Sequence, residues 1–119
     1  LKILSSIIKP THKPITPFQW RVYAALLLIP RGSVTTYGLL ARYLGCGSAQ
    51  AVGQALRRNP FAPDVPCHRV ITSNLCIGGF SGQREGEQIA KKLTLLTAEG
   101  VEFHNSALKD PRQIFHFPT

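Results

Sequence analysis

Methionine is missing, tryptophan occurs once, and only 6 Asp and Glu stand against 14 Lys and Arg in the 119 residues. The shortage of negative charge leaves a formal +8. It points to a polyanionic partner such as nucleic acid, although an anionic membrane surface or simple solubility would also suit it. Long apolar runs are absent. The longest, Ala24-Ala25-Leu26-Leu27-Leu28-Ile29, stops at Pro30, well short of the ~18–20 residues of a membrane span. Cys46, Cys67 and Cys76 are odd in number and lack CxxC spacing. Neither a disulfide framework nor a Cys-rich zinc site is expected, and a reducing compartment fits. The start, Leu1-Lys2-Ile3-Leu4, has no initiator Met and no signal-peptide apolar region with a cleavage site, so secretion is not expected and a longer parent chain is left open. What remains, 44% hydrophobic residues with 10 Gly and 9 Pro, is the composition of one globular domain.

Along the chain, residues 1–15 read as a basic N-terminal arm. Thr16-Pro17-Phe18-Gln19 then has the form of a capping box with proline at the first helical position. The helix it opens should end before Pro30, with Phe18, Val22, Ala25, Leu26 and Ile29 on its inner face and Trp20 and Tyr23 flanking. A second helix is expected over Tyr37 to Leu44, closed by Gly45, and a third over Ala49 to Arg58, capped by Ser48 and ended by Asn59-Pro60. Two short helices about a glycine turn form a helix-turn-helix candidate, although such pairs also occur in proteins that never touch DNA. Ala49, Ala51 and Gly53 leave one side of the third helix almost without bulk, and Arg57 and Arg58 mark its end. That face suits either close helix packing or insertion into a narrow groove. Val65 to Ile71 reads as extended, Leu75-Cys76-Ile77 as a strand, and Gly78 to Gly82 as a glycine-rich loop. Glu85 to Ala98 reads as a last helix, with Ile89, Leu93 and Leu96 apolar and Lys91 and Lys92 outward. The stretch after Phe103 is polar and carries no signal.

Cys67-His68 carries the chemistry. A thiolate is the reactive form of cysteine, and histidine can promote it. In an extended segment successive side chains point to opposite faces, so a relay between the two must be indirect. Water between Cys67 and His68, with the far imidazole nitrogen held by a carboxylate, would satisfy the geometry of an activated nucleophile. Glu99 is the preferred carboxylate.

Pro66-Cys67-His68-Arg69-Val70-Ile71 resembles the active-site signature of the O6-alkylguanine-DNA alkyltransferases. Around it, Thr16-Pro17-Phe18-Gln19, Ile29-Pro30-Arg31-Gly32, Thr36-Tyr37-Gly38, Ala51-Val52-Gly53-Gln54-Ala55-Leu56 with Asn59-Pro60, Gly78-Gly79-Phe80-Ser81-Gly82 and Leu95-Leu96-Thr97-Ala98-Glu99-Gly100-Val101 follow the family's order. The resemblance spans residues 16–103. It implies a mostly α fold with a small β element, a single winged-helix-like domain carrying the helix-turn-helix, followed by a C-terminal tail at 104–119. It further implies DNA repair by stoichiometric transfer of an alkyl group from O6-alkylguanine to cysteine, with O4-alkylthymine as a candidate second substrate. The nucleotide would be flipped from the duplex, and the helix-turn-helix would enter the minor groove largely regardless of sequence.

Carried over by position, the resemblance makes Cys67 the acceptor, His68 its base through water, and Glu99 the carboxylate that orients His68. Asn59 ties the recognition helix to the active-site segment, and Tyr37 displaces the target phosphate and helps protonate the departing base. The carbonyls of Cys67 and Val70 hold the guanine amino group, while Ser81, with Phe80 and Gly82, contacts the O6 side. Thr36, Tyr37, Ala49, Gln50, Ala51, Gly53 and Arg57 face DNA. No cofactor and no metal is expected, because the zinc ligands of some members belong to an amino-terminal domain not contained in these residues. A monomer acting on double-stranded DNA is implied, nuclear in a eukaryote and otherwise cytoplasmic, with no membrane partner.

Three features depart from the family, the amino-terminal domain of many members that these residues do not include being one. Gln50 stands where an arginine usually enters the base stack, and it lacks the charge and the planar guanidinium. Extra residues lie around Gln83 to Glu87. Three rival readings remain: an alkyltransferase-like protein that binds O6-alkylguanine without transfer, a helix-turn-helix regulator, and a cysteine hydrolase. The first commonly carries tryptophan at the acceptor position, where this chain has Cys67. The second predicts sequence-specific major-groove contacts and a dimer, and the third lacks a recognisable oxyanion hole.

Overall fold

The computed structural model describes residues 15–61, 64–78 and 87–118. The basic arm through residue 14 and most of the extra residues around Gln83 lie outside that description. Helix α1, Pro17–Leu26, begins as its sequence demands. Thr16 Oγ1 accepts from the Gln19 amide at 3.1 Å, and the Gln19 side chain accepts from the Thr16 amide at 2.9 Å. Helices α2, Tyr37–Leu44, and α3, Ala49–Arg57, follow, capped by the hydroxyls of Thr36 and Ser48. Gly45 ends α2 with φ +69°, a conformation that glycine adopts without penalty. The three helices close a core of Val22, Tyr23, Leu26, Leu40, Leu44, Val52 and Leu56, all buried. Tyr23 belongs inside this core rather than beside it: it is fully buried, and its hydroxyl donates to the Ala55 carbonyl at 2.9 Å.

Strand β1, Thr35–Thr36, runs directly into α2 and pairs in parallel with β2, Val70–Ile71, in the register Thr35 to Val70 and Thr36 to Ile71. Helix α4, Glu87–Ala98, packs against residues Cys67–Arg69 just before β2. A second small core joins Val34, Ile71, Leu96, Val101 and Leu108.

The stretch after Phe103 is folded. Strands β3, Phe103–His104, and β4, Ala107–Leu108, form an antiparallel hairpin whose turn residues Asn105 and Ser106 take φ of 50° and 68°. Beyond it, Val34 bridges to Ile114, and Phe117 stacks on Tyr43 with ring centroids 4.6 Å apart. The hairpin straddles the boundary expected at residue 103. The fold is mostly α with small β elements, a winged-helix-like domain in which α2 and α3 form the helix-turn-helix.

Two expectations are corrected. Residues 75–77 make an isolated bridge, Cys76 to Ala107, rather than a strand, because Leu75 at φ 66° closes a tight turn from Thr72. On α4, Lys92 points inward and Leu93 outward, since Ile89, Lys92, Leu96 and Glu99 share one helical face.

Candidate active site

Cys67–Arg69 is a 3-10 turn, not an extended strand. Pro66 leads into it, Arg69 N–H closes on the Pro66 carbonyl at 3.0 Å, and β2 begins at the next residue. The turn points three consecutive reactive side chains at different partners. Cys67 is 8% exposed. Burial pushes its thiol up from the ordinary value, while the Asn59 amide and the positive charge of Lys92 pull it down. Tyr37, at the first position of α2, feels the same thiol: burial, then Cys67, raises its phenol. The same two causes, in the same order, push Tyr23 up to about 12.

His68 lies against Glu99, with Nε2 2.9 Å from Oε2. Burial would lift the Glu99 carboxyl, but hydrogen bonds from Arg69 and His68 outweigh it and hold it below the usual value. An ionised carboxylate only accepts, so Nε2 carries the hydrogen and donates it. The lone pair of neutral His68 is therefore on Nδ1, which is buried and has no hydrogen-bond partner among the described residues. Burial lowers the pKa of His68 and Glu99 opposes that lowering. The imidazole is thus gripped at one nitrogen and, among the described residues, left without a partner at the other.

Asn59 joins the end of α3 to this turn. Its Nδ2 donates to the Val65 carbonyl at 2.8 Å and its Oδ1 accepts from the Phe61 amide at 2.9 Å, just after α3 ends. Two residues that the sequence reading passed over complete the site. Arg69 forks onto Glu99, and Lys92, 1% exposed, donates to the carbonyls of Val70 at 2.8 Å and of Ile77. Burial lowers the Lys92 ammonium to about 8, against the pull of Cys67. The spacing 89, 92, 96, 99 was the available signal for Lys92, and an arginine inside an apolar stretch was the one for Arg69.

The structure therefore brings Cys67, His68, Glu99, Asn59, Tyr37 and Val70 together. Phe80, Ser81 and Gly82 lie outside the described residues. Among the residues expected to face DNA, Ala49, Gln50 and Arg57 are exposed and Ala51 and Gly53 half-exposed along α3. A methyl group added at Gly53 would meet nothing within 4 Å, so its small size serves no helix packing among the described residues. Thr36 is buried, with its hydroxyl capping α2. No group of three or more His, Cys, Asp or Glu able to hold a metal occurs among the described residues.

Comparison with known proteins gives this arrangement a family. Residues 17–101 match the model described as 6-O-methylguanine DNA methyltransferase, DNA binding domain. A methylated-DNA–protein-cysteine methyltransferase of Mycobacterium leprae is 47% identical over 85 residues, covering 71% of this chain and 48% of that protein. The chain spans about half the length of the methyltransferases it matches. The crystal structure of Mycobacterium tuberculosis OGT in complex with DNA is similar with a TM-score of 0.65 and 44% identity, covering 72% of this chain and 51% of that one. S. pombe Atl1, solved with damaged DNA containing O6-carboxymethylguanine, is similar over 87% of this chain and 98% of its own, with a TM-score of 0.72 and 33% identity. The matched span runs from the first helix through the cysteine turn to the end of α4, and the chain belongs to the 6-O-methylguanine DNA methyltransferase DNA-binding domain family.

Proposed function

We propose that this chain repairs DNA by accepting the alkyl group of O6-alkylguanine on Cys67, once per molecule and without cofactor. The observation that carries this reading is the turn itself, in which a buried thiol and an imidazole held at one nitrogen by a carboxylate are consecutive residues. His68 Nδ1 takes the thiol proton through a water. The sulfur attacks the alkyl carbon, an S–C bond forms, and the C–O6 bond breaks with its electron pair going to the guanine. Tyr37 supplies a proton to the departing base, and the proton on His68 restores the phenol through solvent. The thioether product has no hydrolytic exit, so the protein is consumed.

Access to the buried carbon requires the nucleotide to leave the stack. The low outer face of α3, at Ala49, Ala51 and Gly53, suits close approach to a minor groove, and Gln50 is the side chain placed to fill the gap. The carbonyls of Cys67 and Val70 hold the guanine amino group, and the loop at Phe80, Ser81 and Gly82 covers the O6 side. Asn59 keeps the groove-binding helix and the thiol in fixed relation.

The test is intact mass after incubation with a short duplex containing O6-methylguanine, beside an undamaged duplex and Cys67→Ala. Gain of one methyl group, lost in Cys67→Ala, is the expected result. A second reading follows from the similarity to S. pombe Atl1 over nearly all of that chain: lesion binding without transfer. Lesion-selective binding with no mass gain would select it and end the transferase reading.

A further inference from the structure

The Glu99 carboxylate has two partners, and one of them is a permanent cation. Arg69 donates from Nε to Oε1 and from Nη2 to Oε2, both at 2.8 Å, and turns Nη1 to the Ile29 carbonyl at 2.9 Å. The fork fixes the carboxylate plane through both oxygens, leaving Oε2 to be shared with His68. Arg69 and Glu99 side chains are only 16% and 7% exposed, so their charges act on neighbours with less solvent screening than a surface pair. An ionised carboxylate alone against an imidazole makes it retain a proton, whereas one already neutralised by a guanidinium does so much less.

We propose that Arg69 is a positioning residue that sets the protonation state of His68: by holding Glu99 in plane and cancelling its charge, it keeps the imidazole neutral with the Nδ1 lone pair available to the thiol. The other groups facing His68 agree in sign. Lys92 from α4 adds a second positive charge that discourages an imidazolium, Cys67 adjoins it in the turn, and Glu99 is the one group favouring protonation. The consequence for alkyl transfer rests on the function proposed above; the consequence for His68 does not.

The test is a titration of the full chain with isotopically labelled histidine, followed by nuclear magnetic resonance and assigned with His68→Gln, alongside transfer rates by mass over the same pH range. Arg69→Gln removes the charge and keeps a donor, and should raise the His68 midpoint by about one pH unit, a tenfold gain in proton affinity. The acid limb of the transfer rate should move up with it. Arg69→Lys keeps the charge and should move the midpoint by no more than a few tenths. An unmoved midpoint in Arg69→Gln, or an equal displacement in both variants, would overturn the proposal. Should Arg69→Gln not fold, Glu99→Gln tests the same coupling in reverse: His68 then faces Arg69 uncompensated and its midpoint must fall, and a midpoint that stays or rises sinks the idea. A His68 displacement in a protein that transfers nothing would leave Arg69's role standing and remove the transferase reading. Transfer by the native chain with no displacement in the variants would do the opposite.

Discussion

Around the Cys67 turn the ionic groups are paired: Glu99 meets Arg69 and His68, Arg69 also meets Ile29, and Lys92 meets two carbonyls. Along the outer face of α3 the arrangement reverses. Gly53 has open space above it, Gln50 is exposed, and Arg57 and Arg58 have no ion-pair partner among the described residues. Both regions belong to one small domain, so the contrast reflects what each is built to meet. A buried charged cluster has its hydrogen bonds completed from within. A surface that meets a polyanion, the role proposed above for α3, would be completed by its partner, and unpaired arginines there are the condition that proposal expects.

Breaking the buried side should cost most. Glu99→Leu strands the Arg69 guanidinium and the His68 N–H in a shielded place, and should lower stability by about 3–5 kcal/mol, read as a fall in urea midpoint at neutral pH. The acid response follows in sign. His68 titrates below its ordinary 6.5 in the fold, so below 6.5 the unfolded chain takes a proton that the folded one refuses, and stability declines. Glu99 titrates below its ordinary 4.5, so the stability it contributes is present above 4.5 and is lost as pH falls through its folded value. Native protein should show both stages and Glu99→Leu should lack the lower one; identical acid limbs would mean that the pairing contributes nothing. Tyr23→Phe, which removes the buried hydroxyl donor and leaves the Ala55 carbonyl with the Arg58 amide, should cost about 1 kcal/mol, and an unchanged urea midpoint would show that bond to be idle. Gly53→Ala, on the open side, should raise stability by up to about 1 kcal/mol while weakening duplex binding in a fluorescence titration. Unchanged affinity would remove that face from the interface.

Legibility in the sequence followed distance along the chain. The capping box at Thr16, the proline at 17 and the glycine at 45 act on neighbours within a turn, so their effects could be read directly. The turn at Cys67 could not: its conformation goes with bonds from His68 and Arg69 to a carboxylate about 30 residues away. Lys92 was misread because charge ordinarily marks the solvent face, whereas here two carbonyls receive it inside. Asn105-Ser106 lacks the glycine that advertises a two-residue hairpin turn, which hid the strands on either side of it. The grouping of Cys67, His68 and Glu99 was legible through the family's motif, and Arg69's part in it only through its fork onto the carboxylate.

The parallel register of Thr35 with Val70 and Thr36 with Ile71 also bears on when the thiol's surroundings come into being. Strands so far apart in sequence meet only after a large loop has closed, a late and entropically costly event in folding. Until then Tyr37 and Cys67 sit at the ends of a wandering segment, and the thiol is an ordinary one in water. A nascent or partly unfolded chain therefore has no assembled site, and the grouping of Cys67, His68 and Glu99 comes into being only with the finished fold.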